Sequence, residues 1–125
     1  MSRICYNSRD ELVIIDLEHL ACVRAESNYS QLIYIGGETM VITTGISRVE
    51  EMIARAYNSP ANGANPFVRI GRSCIVNQLF LCKINTLQQS MVLSDYSRHH
   101  INLKLPKALI REYKSRIELS FHQSQ

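Results

Sequence analysis

The chain has 125 residues, 46% of them hydrophobic and 20% charged, with a formal net charge of +3. That length suits one domain with a real core that needs neither disulfides nor a metal to hold it. No apolar run approaches the roughly 20 residues of a membrane-spanning helix, and the N-terminus lacks the long apolar segment of a secretory signal, so a cytoplasmic protein with no membrane partner is expected.

The charge is unevenly placed. Residues 1–66 carry five Lys/Arg against eight Asp/Glu, a balance of −3, whereas residues 67–117 carry nine Lys/Arg against Asp95 and Glu112, a balance of +7. A basic half on a compact domain is the footprint of a polyanion binder; the alternative is a merely solvated surface. The four cysteines, Cys5, Cys22, Cys74 and Cys82, form no CxxC pair, and three of them sit among apolar residues as small reduced thiols do. His99-His100 is the only close pair of metal-ligand type, and adjacent strand residues face opposite ways, so neither a metal nor any other cofactor is expected.

Residues 1–8 read as a polar tail or loosely attached edge. Glu11 to Asp16 is the first strand, and Leu17 to Leu20 makes a turn too short for a helix. Ala21 to Glu26 alternates as a second strand. Ser27-Asn28-Tyr29-Ser30 is a turn of side chains that bond local backbone. Gln31 to Ile35 returns, Gly36-Gly37 marks a tight hairpin, and Thr39 to Thr43 answers it. The period then changes: Ile46, Val49, Met52, Ile53 and Ala56 recur at helical spacing, with Thr44, or Ser47 together with Glu50, able to cap the start. Residues 58–66 hold every breaker type and make an exposed loop.

Asn65-Pro66-Phe67-Val68-Arg69-Ile70-Gly71-Arg72-Ser73-Cys74-Ile75-Val76-Asn77 comes next. Phe67 and Arg69 should point to one strand face, Val68 and Ile70 to the other. Arg72 and Ser73 follow a flexible glycine where the extended pattern breaks, which suggests a turn that grips anions. Arg69 reads as a side chain that snorkels from a strand face, and Asn77 as a backbone cap. Leu79 to Leu87 and Met91 to Ser94 then form a hairpin, Ile101 to Leu105 alternates cleanly, and Pro106 stops that strand and suits the first turn of a second helix. Leu109, Ile110, Tyr113 and Ile117 give that helix one apolar stripe. The plan is mostly β with two short helices, an α+β fold without internal repeats.

Catalysis finds no support: there is no nucleophile elbow, HExxH, Walker loop or GxGxxG, and no spacing brings a histidine to Ser73 or Cys74. Helix-turn-helix, zinc-finger and basic-zipper patterns are also missing. The basic residues lie instead at strand exits and turns, where a β-rich domain would have to read DNA.

In this order of parts the chain resembles the LytTR DNA-binding domain of bacterial response regulators. The resemblance spans roughly Arg9 to Ile117 and rests on Ala21 to Ile35, on the Asn65–Asn77 stretch, on Lys83-Ile84, and on Ile101 to Ile110. It implies elongated antiparallel β-sheets and contact with double-stranded DNA through three loops that enter successive major grooves. Carried over by position, the first loop supplies Asn28, Ser30 and Gln31, and the second Arg72 and Ser73, with Gly71 where the family usually has His. The third supplies Lys107, where the family has Arg preceded by Ser rather than Pro106. Charge and helix phase add Lys104 and Arg111. Lys for Arg at 107 gives up the bidentate fork and weakens base reading there.

The resulting expectation is a LytTR-type domain over 9–117 between tails at 1–8 and 118–125. It is expected to act as a stand-alone transcriptional regulator, with a homodimer on repeated half-sites. Eight residues cannot hold a receiver domain, so regulation by phosphorylation is expected either from a separate signalling protein or not at all. The other class is a protein-interaction module that keeps the fold without DNA affinity.

Overall fold

The computed structural model describes residues 3–124, with side chains described through His122. The chain divides into two compact units, one ending at Leu79 and one starting at Phe80.

The first unit opens with a hairpin, β1 (Arg3–Asn7) and β2 (Leu12–Asp16), paired antiparallel from Arg3↔Asp16 to Asn7↔Leu12. Of the two expectations for this segment, a tail or an edge, residues 3–7 form the edge strand, because Ile4 and Tyr6 share one face and partly bury it against the core. Tyr6 is further tied by its hydroxyl to the Thr43 carbonyl, 3.2 Å away. Next come β3 (Leu20–Glu26), β4 (Tyr29–Tyr34) and β5 (Thr39–Ile42), then helix α1 (Ile46–Ala56), then β6 (Phe67–Ile70) and β7 (Cys74–Asn77). Five of these strands form one sheet in the order β5-β4-β3-β7-β6, with every pairing antiparallel.

The β4–β5 turn shows why Gly36-Gly37 was needed. Gly37 sits at φ 97 and donates its N–H to the Tyr34 carbonyl, while the Tyr34 N–H reaches Glu38 O, each at 2.9 Å. This is a three-residue hairpin loop closed by a glycine in the left-handed region. The core of the unit gathers Ile15, Leu20, Val23, Leu32 and Ile42 from the strands and Leu17 from the β2–β3 turn, with Ile46, Val49 and Ile53 from α1. Each such side chain contributes about 1.5–3 kcal/mol when fully buried. Gly45 is the N-cap of helix α1 and no side chain caps the helix start, so neither Thr44 nor Ser47 does so. The breaker-rich loop is exposed and contains one 3-10 turn, Pro60–Asn62.

The second unit is a three-stranded antiparallel sheet in the order β10-β9-β8, made of β8 (Leu81–Asn85), β9 (Ser90–Ser94) and β10 (His100–Lys104), with helix α2 (Lys107–Ser124). Residues 78–80 form a 3-10 turn, so β8 starts two residues later than the apolar run suggests. Met91, Leu93, Leu103, Leu105, Ile110 and Tyr113 are buried, so the α2 stripe is inward at its centre. Pro106 stands just ahead of α2, its carbonyl accepting the Leu109 and Ile110 N–H groups at 3.0 and 3.1 Å. The helix runs through residues 118–124, where a tail was expected, because Glu118, Leu119 and Gln123 favour helix and no glycine or proline interrupts the segment. No helix among the described residues is long and apolar enough to cross a membrane.

Candidate nucleic-acid interface

Sheet topology brings two of the expected loops together. Strand β3 lies between β4 and β7 and is antiparallel to both, so its C-terminal end adjoins the start of each. The β3–β4 turn and the β6–β7 turn therefore project from the same end of the sheet. They are joined directly, since the Ala25 N–H donates to the Ser73 carbonyl at 2.9 Å. β5 points the same way and delivers the N-terminus of α1 to that end. Both turns use left-handed backbone, Ser27 at φ 58 and Gly71 at φ 67.

Arg72 is exposed at the apex of the second turn, and its guanidinium has no partner among the described residues. The turn beneath it is braced by Arg69. Arg69 Nε donates to Gly71 O at 3.1 Å, one terminal nitrogen donates to Arg72 O at 2.8 Å, and the other meets Glu50 Oε1 at 2.9 Å. One half-buried guanidinium thus satisfies two turn carbonyls and anchors them to α1. Strand alternation alone left Arg69 as a snorkelling residue; only its partners reveal the bracing.

Ser73 and Asn28 are exposed and Gln31 is half-buried. Ser30 does not fit the expectation. It is fully buried, and its hydroxyl donates to Thr44 O at 2.7 Å, so it ties β4 to the α1 approach rather than facing outward. The strand that follows Tyr29 turns residue 30 inward, and a hydroxyl buried there must find a partner.

In the second unit, Lys104, Lys107 and Arg111 are exposed where β10 hands over to α2. Lys107 and Arg111 lie one helical turn apart and have no partner among the described residues. Lys104 is committed in part, its Nζ donating to Gln88 O at 3.1 Å, while the Leu105 N–H holds Gln89 O at 3.2 Å. An ammonium has three donors, so Lys104 keeps capacity for a further anion.

Asn77 is the cap that the sequence suggested. It is 1% exposed, its Nδ2 donates to Leu20 O at 3.0 Å, and its Oδ1 accepts the Leu79 N–H at 3.0 Å. Burial pushes the Cys22 thiol up to about 12 and the Cys74 thiol up to about 11, so neither is a thiolate at neutral pH. One cluster escaped the sequence reading: Asp16, Glu18 and His19 bring three donor atoms within 4.8 Å of one another on a single turn. Their geometry is held internally, with His19 Nδ1 2.7 Å from Asp16 Oδ2 and the Glu18 N–H on Asp16 Oδ1 at 3.0 Å. The Asp16 hydrogen bond raises the His19 pKa.

No protein-family model matches the chain, and no curated protein does. Among solved structures it is similar to a LytTr DNA-binding domain from Bacillus cereus, with a TM-score of 0.54 over 92% of this chain and 95% of that one, at 14% identity. The likeness establishes the fold: mostly β with two helices and several antiparallel sheets, as the sequence resemblance implied.

Proposed function

We propose that this chain binds double-stranded DNA sequence-specifically, as a bacterial transcriptional regulator that reads major grooves with its loops. The observation that carries this reading is Arg72, a guanidinium without a partner among the described residues, held at the tip of a braced turn beside a second polar turn. The fold likeness to a LytTr DNA-binding domain supports it. Arg72 makes a bidentate contact with guanine, with Ser73, Asn28 and Gln31 flanking it. Lys104, Lys107 and Arg111 engage phosphates. Ser30 takes no part except as scaffold. The protein acts in the cytoplasm, with a second copy on a repeated half-site and a separate signalling protein as its expected partners.

The test starts with selection of bound sequences from a random duplex library, followed by titration of the selected site in increasing salt. Affinity should fall steeply with salt, in proportion to the phosphates neutralised. Arg72→Ala should cost about 1–3 kcal/mol on the selected site and less on random DNA. Equal binding by the variant sinks the role given to Arg72.

One feature favours a second reading, a protein-interaction module on the same fold. With Ser30 buried and Gly71 lacking a side chain, this end of the sheet offers few base-reading groups. Absence of DNA binding even at low salt would select that reading.

A further inference from the structure

Among the described residues, every strand at a sheet edge except one carries a device that discourages pairing with another chain. Strand β1 has Arg3, β2 has Asp16, β6 has Arg69, β8 has Lys83 and a register shift, and β10 has His100 and Lys104. Charges and bulges on edges are how sheets avoid growing. β5, Thr39-Met40-Val41-Ile42, has no charge, no proline and no bulge in its pairing with β4. Residues 36–41 are all exposed, with Met40 42% and Val41 49% exposed.

The register says which backbone groups are free. The Tyr34 N–H bonds Glu38 O, and pairing then runs Ile33↔Thr39, Leu32↔Met40, Gln31↔Val41 and Ser30↔Ile42. Because antiparallel pairs alternate, Met40 and Ile42 point their N–H and C=O groups at β4, and Thr39 and Val41 point theirs away from the sheet. The far end is closed at Thr43, whose carbonyl and hydroxyl lie 3.2 and 3.1 Å from the Tyr6 hydroxyl. What remains open is the short row from Thr39 to Val41.

We infer that this row pairs with the same row of a second copy, antiparallel about a two-fold axis at Met40. Thr39 of one copy then faces Val41 of the other, twice, and four backbone hydrogen bonds form without disturbing the native sheet. Such an interface is isologous, so it closes at two copies. The charges permit it: Glu38 of one copy falls opposite Ile42 of the other, and the two Glu38 residues stand about 14 Å apart along the pair, at about 3.4 Å per residue. Two copies fit this edge better than a charged peptide does, because the edge offers no charge to complement.

So short a contact lies well below the area of a stable dimer, so association is weak, with a dissociation constant on the order of hundreds of micromolar. Antiparallel pairing points the two β3–β4 and β6–β7 turn ends in opposite directions along the merged sheet. On the functional reading above, this dimer joins two DNA segments rather than neighbouring half-sites. The pairing itself does not depend on that reading.

The test is sedimentation equilibrium of the protein without DNA across a wide concentration range. The wild type should associate reversibly and stop at a dimer. Val41→Pro removes one outward N–H and no β4 bond, so it should abolish association while leaving the circular dichroism spectrum unchanged. Met40→Cys, in a background with Cys5 and Cys82 changed to Ser, gives a second readout. Met40 faces its counterpart at a non-bonded pair, about 4.5 Å between Cα atoms, within disulfide reach. Mild oxidation should therefore trap a covalent dimer with Met40→Cys but not with Glu38→Cys in the same background. A wild type that stays monomeric up to millimolar concentration, or equal crosslinking at both positions, overturns the proposal.

Discussion

Arg69 and Glu50 meet at 2.9 Å across the gap between β6 and α1, and the same guanidinium grips the carbonyls of Gly71 and Arg72. With Arg69 half-buried and Glu50 exposed, an ion pair this near the surface contributes about 0.2–1 kcal/mol. Its value here lies in geometry rather than stability, because it fixes the turn that carries Arg72. Arg69→Lys keeps the charge but cannot fork to three acceptors. Amide exchange at residues 71–73 should accelerate in that variant, and affinity for a selected DNA site should fall about tenfold, or about 1.4 kcal/mol. Glu50→Gln should give a smaller change of the same sign. Unchanged exchange at 71–73 in Arg69→Lys would show that the turn holds itself.

Ser30 separates scaffold from surface. Its buried hydroxyl bonds Thr44 O at 2.7 Å. Ser30→Ala should cost about 1–2 kcal/mol in urea unfolding, since the carbonyl loses its partner. DNA affinity of the folded fraction should not change. A loss of specific affinity without a loss of stability would return Ser30 to the DNA-facing set.

Asn77 carries a heavier structural load. It satisfies Leu20 O from β3 and the Leu79 N–H that follows β7, and it is almost wholly buried. Asn77→Ala leaves both backbone groups unpaired, at a cost of about 2–3 kcal/mol. Asn77→Asp should be no rescue, because a carboxylate cannot donate to Leu20 O. Midpoint denaturant concentrations of the two variants check this directly.

The β9–β10 turn makes the stability of the second unit respond to acid. Asp95 sits with His99 Nδ1 2.9 Å from Oδ2, and its Oδ1 accepts the Ser97 and His99 N–H groups at 2.9 and 3.0 Å. The His99 hydrogen bond first, then the two backbone N–H bonds, hold its carboxyl down at about 2, below the ordinary 3.8. A depressed carboxyl stabilises the fold above its unfolded pKa and loses that contribution as pH falls through the folded one. Asp95→Asn should therefore lower the thermal midpoint at pH 6, with the gap to wild type closing between about pH 4 and pH 2. A gap that is constant with pH would assign the effect to packing instead.

Local chemistry made much of this protein legible. The Gly36-Gly37 turn, the 3.6-residue apolar rhythm of α1, the clean alternation into Pro106 and the capping Asn77 each follow from short-range rules, and each stands where those rules put it. The ends of the chain were harder. Residues 3–7 hold only two apolar side chains suited to one face, so their strand exists because β2 supplies partners and the core accepts Ile4 and Tyr6. The burial of Ser30 and the three-way grip of Arg69 depend on residues 14 and 19 positions away, Thr44 and Glu50.

The sequence by itself determined the central strands and the cores of both helices, the basic second half, and the glycine-led turn that presents Arg72. Those features arise from backbone propensity and side-chain periodicity, which act over a few residues. Tertiary structure alone decided that the β3–β4 and β6–β7 turns share one sheet end, that Arg69 braces rather than snorkels, and that β5 is left as an open, uncharged edge. Pairing order and side-chain partners are set by contacts distant in the chain, and no local rule specifies them.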